Sequence, residues 1–288
     1  TQALLLWMPV RGVTQAIGSA WYAQGALTLW LVPLALAGAY YTVPKVSGRA
    51  LPSYEAAPLG FWTLIFIGTW TGGRYLAGGP VPAWIATMAV VGSALLLFHY
   101  LVVALNLRIA FGAPGTSMRL VRFGLVAYLL GGLLATLTAF RGVAAHTQFT
   151  FFDTALEQLS HYGAVSMLFL GAVYYMVPRL TGRGWASPAL TSGHVVMVMI
   201  GIGASVVALT AAGWMQSESL RDAKVSFAGI FSQVRLALLV NTSAQFVLLG
   251  ANLLLLVNFA RTACPCGETP ATAPGVFRQP STLEAPAS

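Results

Sequence analysis

Long apolar stretches recur along the chain at the length that a membrane-spanning helix requires. About 20 apolar residues cross the hydrocarbon core of a bilayer as a helix, because a helix satisfies its own backbone hydrogen bonds where water is absent. Seven stretches meet that length, and they cover approximately residues 25–44, 59–78, 83–107, 119–140, 155–178, 190–214 and 236–259. The pattern therefore predicts an all-α, polytopic transmembrane helix bundle of about seven spans.

One motif ends two of these spans and indicates an internal repeat. Residues 40–49 and 174–183 both read Tyr-Tyr-x-Val-Pro-Lys/Arg-x-Ser/Thr-Gly-Arg, at an offset of 134 residues. This offset contains four predicted spans, so the repeat unit is an arc of four helices, and an even number makes the copies parallel rather than inverted. In each copy we expect the tyrosines at headgroup depth, the proline as the helix stop and the basic residues in the cytoplasm.

The composition supports a membrane protein and excludes most soluble classes. Of the 288 residues, 57% are hydrophobic and only 8% are charged, whereas a soluble domain carries about a quarter charged residues. We therefore expect the lipid bilayer to be the solvent for residues 1–261. The net charge of +8 does not indicate nucleic-acid binding, because no basic patch is interleaved with aromatic residues.

The distribution of basic residues predicts the orientation. Eight lie on the side where odd-numbered spans end and six on the opposite side, and an excess of Lys and Arg marks the cytoplasmic side. We therefore expect the C-terminus in the cytoplasm, with residues 262–288 as a disordered tail, since they are rich in Pro, Ala and Thr and lack apolar periodicity. The eight are Lys45, Arg49, Arg108, Arg119, Arg122, Arg179, Arg183 and Arg261.

Four segments carry a resemblance to subunit I of the haem–copper cytochrome c oxidases, in the C-family or cbb3-type branch. Residues 22–45 resemble that family's sixth helix, 61–76 its seventh, 161–179 its tenth and 193–213 its eleventh. The resemblance implies the C-terminal half of a twelve-helix fold built from three four-helix arcs. It also implies a bacterial-type inner membrane and respiratory electron transfer, with oxygen reduction as the family's reaction. The partners it implies are other respiratory-complex subunits, among them a membrane-anchored cytochrome c.

The positions that bind copper in this family hold other residues in this chain. The copper-ligating histidine of the sixth helix falls on Gln24, and the His-His pair of the seventh falls on Arg74 and Tyr75. The family's cross-linked tyrosine falls on Gly68. Neutral imidazoles suit copper, whereas a guanidinium repels a cation. We therefore expect no copper site and no metal ligands at these positions.

The haem positions implied by the resemblance are partly retained. The family's tenth helix carries His-x-His, whose first histidine binds the high-spin haem and whose second binds the low-spin haem. Leu159 and His161 occupy these places, so only the low-spin position keeps a histidine. The resemblance thus implies at most a low-spin haem b on His161, with its second ligand from elsewhere. Arg183 is a candidate for a haem propionate, although the topology signal also explains it.

Several polar residues inside predicted spans allow alternative functions. Asp153, Glu157 and His161 are spaced by four and share one helical stripe, which is typical either of a proton path or of an acidic helix start. His99 is expected to bond between helices, and His194 to snorkel or form a hydrogen bond at the cytoplasmic start of its helix, rather than to bind a cofactor. Besides a haem-binding oxidase relative, the sequence therefore leaves open a scaffold or assembly subunit and a proton or small-solute channel.

Overall fold

The computed structural model describes residues 10–263, and no strand occurs within them. The predicted tail lies outside the described residues, apart from the two that complete the last helix, and it stays a prediction. We number the helices in chain order. They are α1 (Val13–Ser47), α2 (Ala56–Ile67), α3 (Ala83–Leu107), α4 (Thr116–Ala139), α5 (Arg141–Thr147), α6 (Phe151–Thr181), α7 (Pro188–Arg221) and α8 (Phe227–Ala263).

Six of the described helices are long and apolar enough to cross a membrane, which confirms the all-α, multi-pass prediction. The remaining predicted span, 59–78, is not one continuous α-helix, because α2 continues as a 3₁₀-helix over Gly68–Leu76. A close approach of α1 accounts for the glycines there. A Cβ atom at Gly72 would lie 2.8 Å from the carbonyl oxygen of Ala20, so only glycine allows this packing.

The two repeated helices, α1 and α6, share irregularities that their sequences do not show. A π-helical segment interrupts α1 at Leu27–Leu31 and α6 at Leu159–Ser166. The two segments occupy equivalent positions of the repeat, because the 134-residue offset aligns the first with residues inside the second. Both helices end at a glycine with positive φ, 65° at Gly48 and 68° at Gly182. The expectation that proline stops the helix was wrong, since each helix continues for three residues beyond its proline. The left-handed glycine ends it instead.

The two repeated helices lie side by side at the same depth. A Cβ atom at Gly38 would be 2.9 Å from the Cβ atom of Ala172, and the rings of Tyr41 and Tyr175 are 6.4 Å apart. Each of these pairs joins residues exactly one repeat apart in sequence. The repeats are therefore parallel and meet through equivalent positions, with small residues allowing the backbones to approach closely.

Each arc also secures the loop after its first helix in the same way. The backbone N–H of Ser53 donates to Asn106 Oδ1 at 2.8 Å, and that of Ser187 donates to Asn258 Oδ1 at 3.0 Å. The serines are 134 residues apart and the asparagines 152, so the second arc carries extra residues between them. Both asparagines are fully buried, and each fixes its loop by accepting a hydrogen bond from the loop backbone.

The arcs differ at one apolar site. In the second arc, Leu120 of α4 is fully buried among residues of α6, α7 and the loop between them. These residues are Met167, Leu170, Tyr174, Trp185, Val195 and Val198. Their counterparts 134 residues earlier line an open groove of about 540 Å³. They are Pro33, Leu36, Tyr40, Leu51, Phe61 and Leu64.

A buried histidine joins three helices of the first arc. His99 on α3 is 1% exposed, and its Nδ1–H donates to the Gly60 carbonyl oxygen of α2 at 2.7 Å. Because that oxygen can only accept, Nε2 of the neutral ring accepts the hydroxyl proton of Tyr128 on α4, also at 2.7 Å. The expected interhelical role of His99 is therefore observed.

Close packing between α4 and α6 generates a first prediction. A Cβ atom at Gly171 would lie 2.6 Å from Val121 Cγ2, whereas one at Gly203 would meet nothing within 4 Å. We expect Gly171→Ala to reduce the free energy of unfolding by about 1–3 kcal/mol, because overpacking forces the helices apart. Gly203→Ala is the control and should be neutral or slightly stabilising. Unfolding in mixed micelles measures both, and equal stabilities would contradict this packing.

The His99 bonds generate a second prediction. Tyr128→Phe should cost about 1 kcal/mol, and His99→Leu should cost more, because it removes both hydrogen bonds of the ring and leaves the Tyr128 hydroxyl without its acceptor. The double variant should lose less than the sum of the two. Thr87→Val, which removes an exposed hydroxyl bonded within its own helix, serves as the control. Additive losses in a double-mutant cycle would show that the two side chains are not coupled.

Candidate functional site

Polar side chains from five helical segments meet in one small internal cavity, which we call the polar chamber. These side chains come from α1, α3, α4, the π-helical segment of α6 and the 3₁₀-helix that follows α2. The cavity has a volume of about 50 Å³. The hydroxyl, amide and guanidinium side chains that line it are Gln24, Thr28, Thr71, Arg74, Ser93, Tyr100, Tyr128, Thr136 and Ser160.

Two of the three residues at the family's copper positions line this chamber. Gln24 enters it from α1 and Arg74 from the 3₁₀-helix, although they are 50 residues apart in sequence. Tyr75 is not part of the lining: its hydroxyl accepts a hydrogen bond from Arg74, whose guanidinium lies 4.5 Å from the centre of its ring. The 3₁₀-helix is held at this point by Gln148, whose side chain donates to the Tyr75 carbonyl oxygen at 2.9 Å.

Tyrosines take up much of the space next to these residues. The rings of Tyr100 and Tyr128 are 5.2 Å apart in an edge-to-face arrangement, and Tyr100 packs directly on Gly132. Gly68 leaves no room for a larger side chain, since a Cβ atom there would lie 3.0 Å from that of Thr28. Pockets that hold a ligand of drug size have volumes of about 300–1,000 Å³. The chamber can therefore take water or a small ion but not a macrocycle in this arrangement.

The two residues at the family's haem-ligand positions face in different directions. Leu159 is 6% exposed and belongs to the apolar core between α4 and α6. His161 is exposed on the outside of the described bundle, and its Nδ1–H donates to the carbonyl oxygen of Glu157 at 3.0 Å. This bond leaves Nε2 with its lone pair directed away from the helix backbone. Holding one ring nitrogen in this way is how proteins orient a ligating histidine.

The remaining candidate residues are spread along α6. Asp153 is half-buried near the start of the helix, where its carboxylate accepts the backbone N–H of Phe149 at 3.3 Å. The Glu157 side chain is exposed, and only its carbonyl oxygen contacts His161. Arg183 follows the end of α6 at Thr181. Twenty residues of helix separate His161 from Thr181, which is about 30 Å at 1.5 Å per residue.

Sequence reasoning missed most of the polar chamber. Neither Tyr100, Tyr128, Ser93 nor Ser160 was a candidate, because each is a single polar residue within a long apolar span. The local signals were that Tyr100 directly follows His99 and that Ser160 directly precedes His161. Within residues 10–263, no three His, Cys, Asp or Glu side chains lie close enough together to hold a metal ion.

Comparison with known proteins gives the family. A family model described as "Cytochrome C and Quinol oxidase polypeptide I" matches residues 2–247. Cytochrome c oxidase subunit 1 of Rhodobacter capsulatus is 29% identical over 221 residues, which cover 73% of this chain and 41% of that protein. Cbb3-type cytochrome c oxidase subunit CcoN1 of Stutzerimonas stutzeri is 27% identical over 197 residues, 66% of this chain and 42% of that protein.

A cytochrome c oxidase subunit 1 homolog from Agrobacterium tumefaciens (strain T37) is 28% identical over 228 residues, which cover 73% of this chain and 40% of that protein. The chain thus spans about two fifths of the length of these relatives. The family match covers most of the residues that form the helices, and it confirms the resemblance carried by the four segments. This multi-pass membrane chain belongs to the cytochrome c and quinol oxidase polypeptide I family.

Proposed function

We propose that this chain is a membrane subunit of a respiratory oxidase-type complex that holds no copper–high-spin haem centre of its own. The observation that carries the proposal is the polar chamber. Gln24 and Arg74 meet there, with Tyr100 and Tyr128 beside them, around a cavity of only about 50 Å³. An amide and a guanidinium do not form a copper ligand set, since copper in proteins is bound by imidazole or soft sulfur ligands. The high-spin haem position, Leu159, lies in packed core.

His161 is the residue through which this chain would retain a cofactor, a low-spin haem b. Its geometry supports the role, because the Glu157 carbonyl oxygen holds Nδ1–H and Nε2 remains available on the outer face of α6. A haem in that position would carry single electrons between partner subunits. The second axial ligand would come from a segment outside the described residues.

The other candidate roles on α6 have less support. About 30 Å of helix separates His161 from Arg183, so Arg183 cannot reach the propionates of a haem on that histidine. Arg183 is better explained as a cytoplasmic topology residue. A proton path through Asp153 and Glu157 would need them to line an internal route, yet Glu157 and His161 lie on the outer surface of the described bundle.

The groove of the first arc leaves room for a further helix to pack against it. Its counterpart in the second arc is closed by Leu120 of α4, a helix from the preceding arc. By the same symmetry, a helix from outside residues 10–263 would close the first groove. The family resemblance, rather than the groove, supports assembly with other respiratory-complex subunits, among them a membrane-anchored cytochrome c. The excess of basic residues supports a cytoplasmic C-terminus in that assembly, in a bacterial-type inner membrane.

The haem assignment makes a third prediction. We expect the purified protein, prepared with its partner subunits, to show a b-type band in the reduced-minus-oxidised visible spectrum. His161→Ala should abolish this band, because it removes the axial ligand. His146→Ala is the matched control: that half-buried histidine accepts a bond from Arg221 at 2.7 Å, and its loss should leave the band unchanged. Metal analysis of the same sample should find no copper bound to this chain.

Two outcomes would overturn this proposal. A b-type band that survives His161→Ala would remove the ligand assignment. A stoichiometric copper signal lost in Gln24→Ala would show that the chamber binds the metal after all. A colourless wild-type complex that is otherwise intact would instead favour a scaffold or assembly role.

A further inference from the structure

A groove distinct from that of the first arc lies at the end of the bundle where α3 begins and α4 ends. We call it the interfacial groove, and it lies between residues 77–86 and 141–149. Its volume is about 470 Å³, which is within the range of pockets that hold an organic ligand. Eight of its eleven lining residues are alanine, glycine or valine, and the others are Arg141, Gln148 and Phe149. The wall is therefore largely apolar, with one cationic side chain.

The interfacial groove lies at the depth of the lipid headgroups. Between Arg122 and Arg141, 18 residues carry no charge. A helix of that length is about 27 Å long, close to the thickness of the hydrocarbon core of a bilayer. The two arginines therefore lie near opposite surfaces of the membrane. Exposed apolar side chains continue from the groove toward the membrane interior, among them Met88 on α3 and Leu137 on α4.

Arg141 gives this groove an exposed positive charge. It is the only charged residue among the described residues that line the groove. Two charged neighbours make contacts outside the lining. Arg221 donates to His146 Nε2 at 2.7 Å, and the Asp153 carboxylate accepts the Phe149 N–H at 3.3 Å. A guanidinium beside an apolar wall suits a phosphate group that carries apolar chains, because it forms charge-assisted, bidentate hydrogen bonds with phosphate oxygens.

The edge of the groove carries an aromatic residue in an unfavourable backbone conformation. Phe149 has a φ of 62°, the only positive value of a non-glycine residue within residues 10–263, and its side chain is 73% exposed. Its neighbours in sequence hold it there, since Gln148 donates to the Tyr75 carbonyl oxygen and Thr150 caps the start of α6. At headgroup depth an exposed aromatic ring packs against the upper part of lipid chains.

We propose that the interfacial groove binds one anionic phospholipid, with its phosphate on Arg141 and the upper part of its acyl chains along the alanines of α3 and α5 beside Phe149. A net negative headgroup is preferred because the described lining holds a cation and no acid. The lipid connects the loop before α3 with α5, so it stabilises this end of the bundle. The proposal does not depend on haem binding at His161.

Lipid titration of the purified, delipidated full chain tests this site. Phosphatidylglycerol, phosphatidylcholine or glycerol phosphate is added in detergent, while native mass spectrometry counts bound molecules and the midpoint of thermal unfolding is followed. We expect one phosphatidylglycerol per chain to bind saturably and to raise the midpoint, phosphatidylcholine to bind more weakly, and glycerol phosphate not to bind. Arg141→Gln should weaken phosphatidylglycerol binding about tenfold, because it removes the charge-assisted bonds. Arg221→Gln removes the same charge outside the groove and should bind as the wild type does.

A second variant tests the groove without changing its charge. Ala83→Trp fills the groove from an exposed position at the start of α3 and should prevent lipid binding. Ala211→Trp, at an exposed alanine of α7 outside the groove, should not.

Four results would overturn the proposal. The first is the lack of saturable phosphatidylglycerol binding by the wild type, and the second is an unchanged affinity in either Arg141→Gln or Ala83→Trp. The third is an equal loss in Arg221→Gln, which would indicate attraction to the whole basic surface. The fourth is equal binding of phosphatidylcholine or of glycerol phosphate, which would show that the site does not select an anionic lipid.

Discussion

The contact between α1 and α6 determines the position of almost everything else in this protein. Two parallel helices, one repeat apart, meet through Gly38 and Ala172 at a distance that only small residues allow. In lipid there is little hydrophobic drive for helices to associate, so close packing and interhelical hydrogen bonds have to hold them together. This contact brings Gln24 on α1 and Ser160 on α6 to the same depth, and the polar chamber lies between them.

The chamber shows how a family fold can persist while its central chemistry changes. The packing around it is tight: Gly72 and Gly132 admit no larger side chain, because Gln24 and Tyr100 lie directly against them. The polar groups that line it are of a different kind, a guanidinium with an amide and several hydroxyls. Helix packing constrains the small residues at the crossings, but it does not require that a metal be bound between them. Stability and cofactor content can therefore diverge.

The two arcs share the same helical features and differ in the segments that pack against them. Each has a π-helical segment, a left-handed glycine at the helix end and an asparagine that secures the following loop. Yet the apolar site filled by Leu120 in one arc is an open groove in the other. Pro178 leaves the Tyr174 carbonyl oxygen without a helical donor, and Trp185 supplies one at 3.2 Å. The equivalent residue in the first arc is Leu51, whose side chain has no hydrogen-bond donor.

Hydropathy by itself determined the fold class and the number of membrane spans to within one, since lipid imposes a length and a composition on any spanning helix. The repeated motif determined that the two arcs are parallel copies. The family resemblance singled out Gln24, Arg74 and His161. None of these signals showed that Gln24 and Arg74 share one cavity with Tyr100, Tyr128 and Ser160, because single polar residues in apolar spans carry no periodic signal. Only the tertiary structure decided which polar residues face each other. It also decided that Gly48 and Gly182, not the prolines, end their helices and that His161 points outward, because helix rotation depends on packing between distant segments.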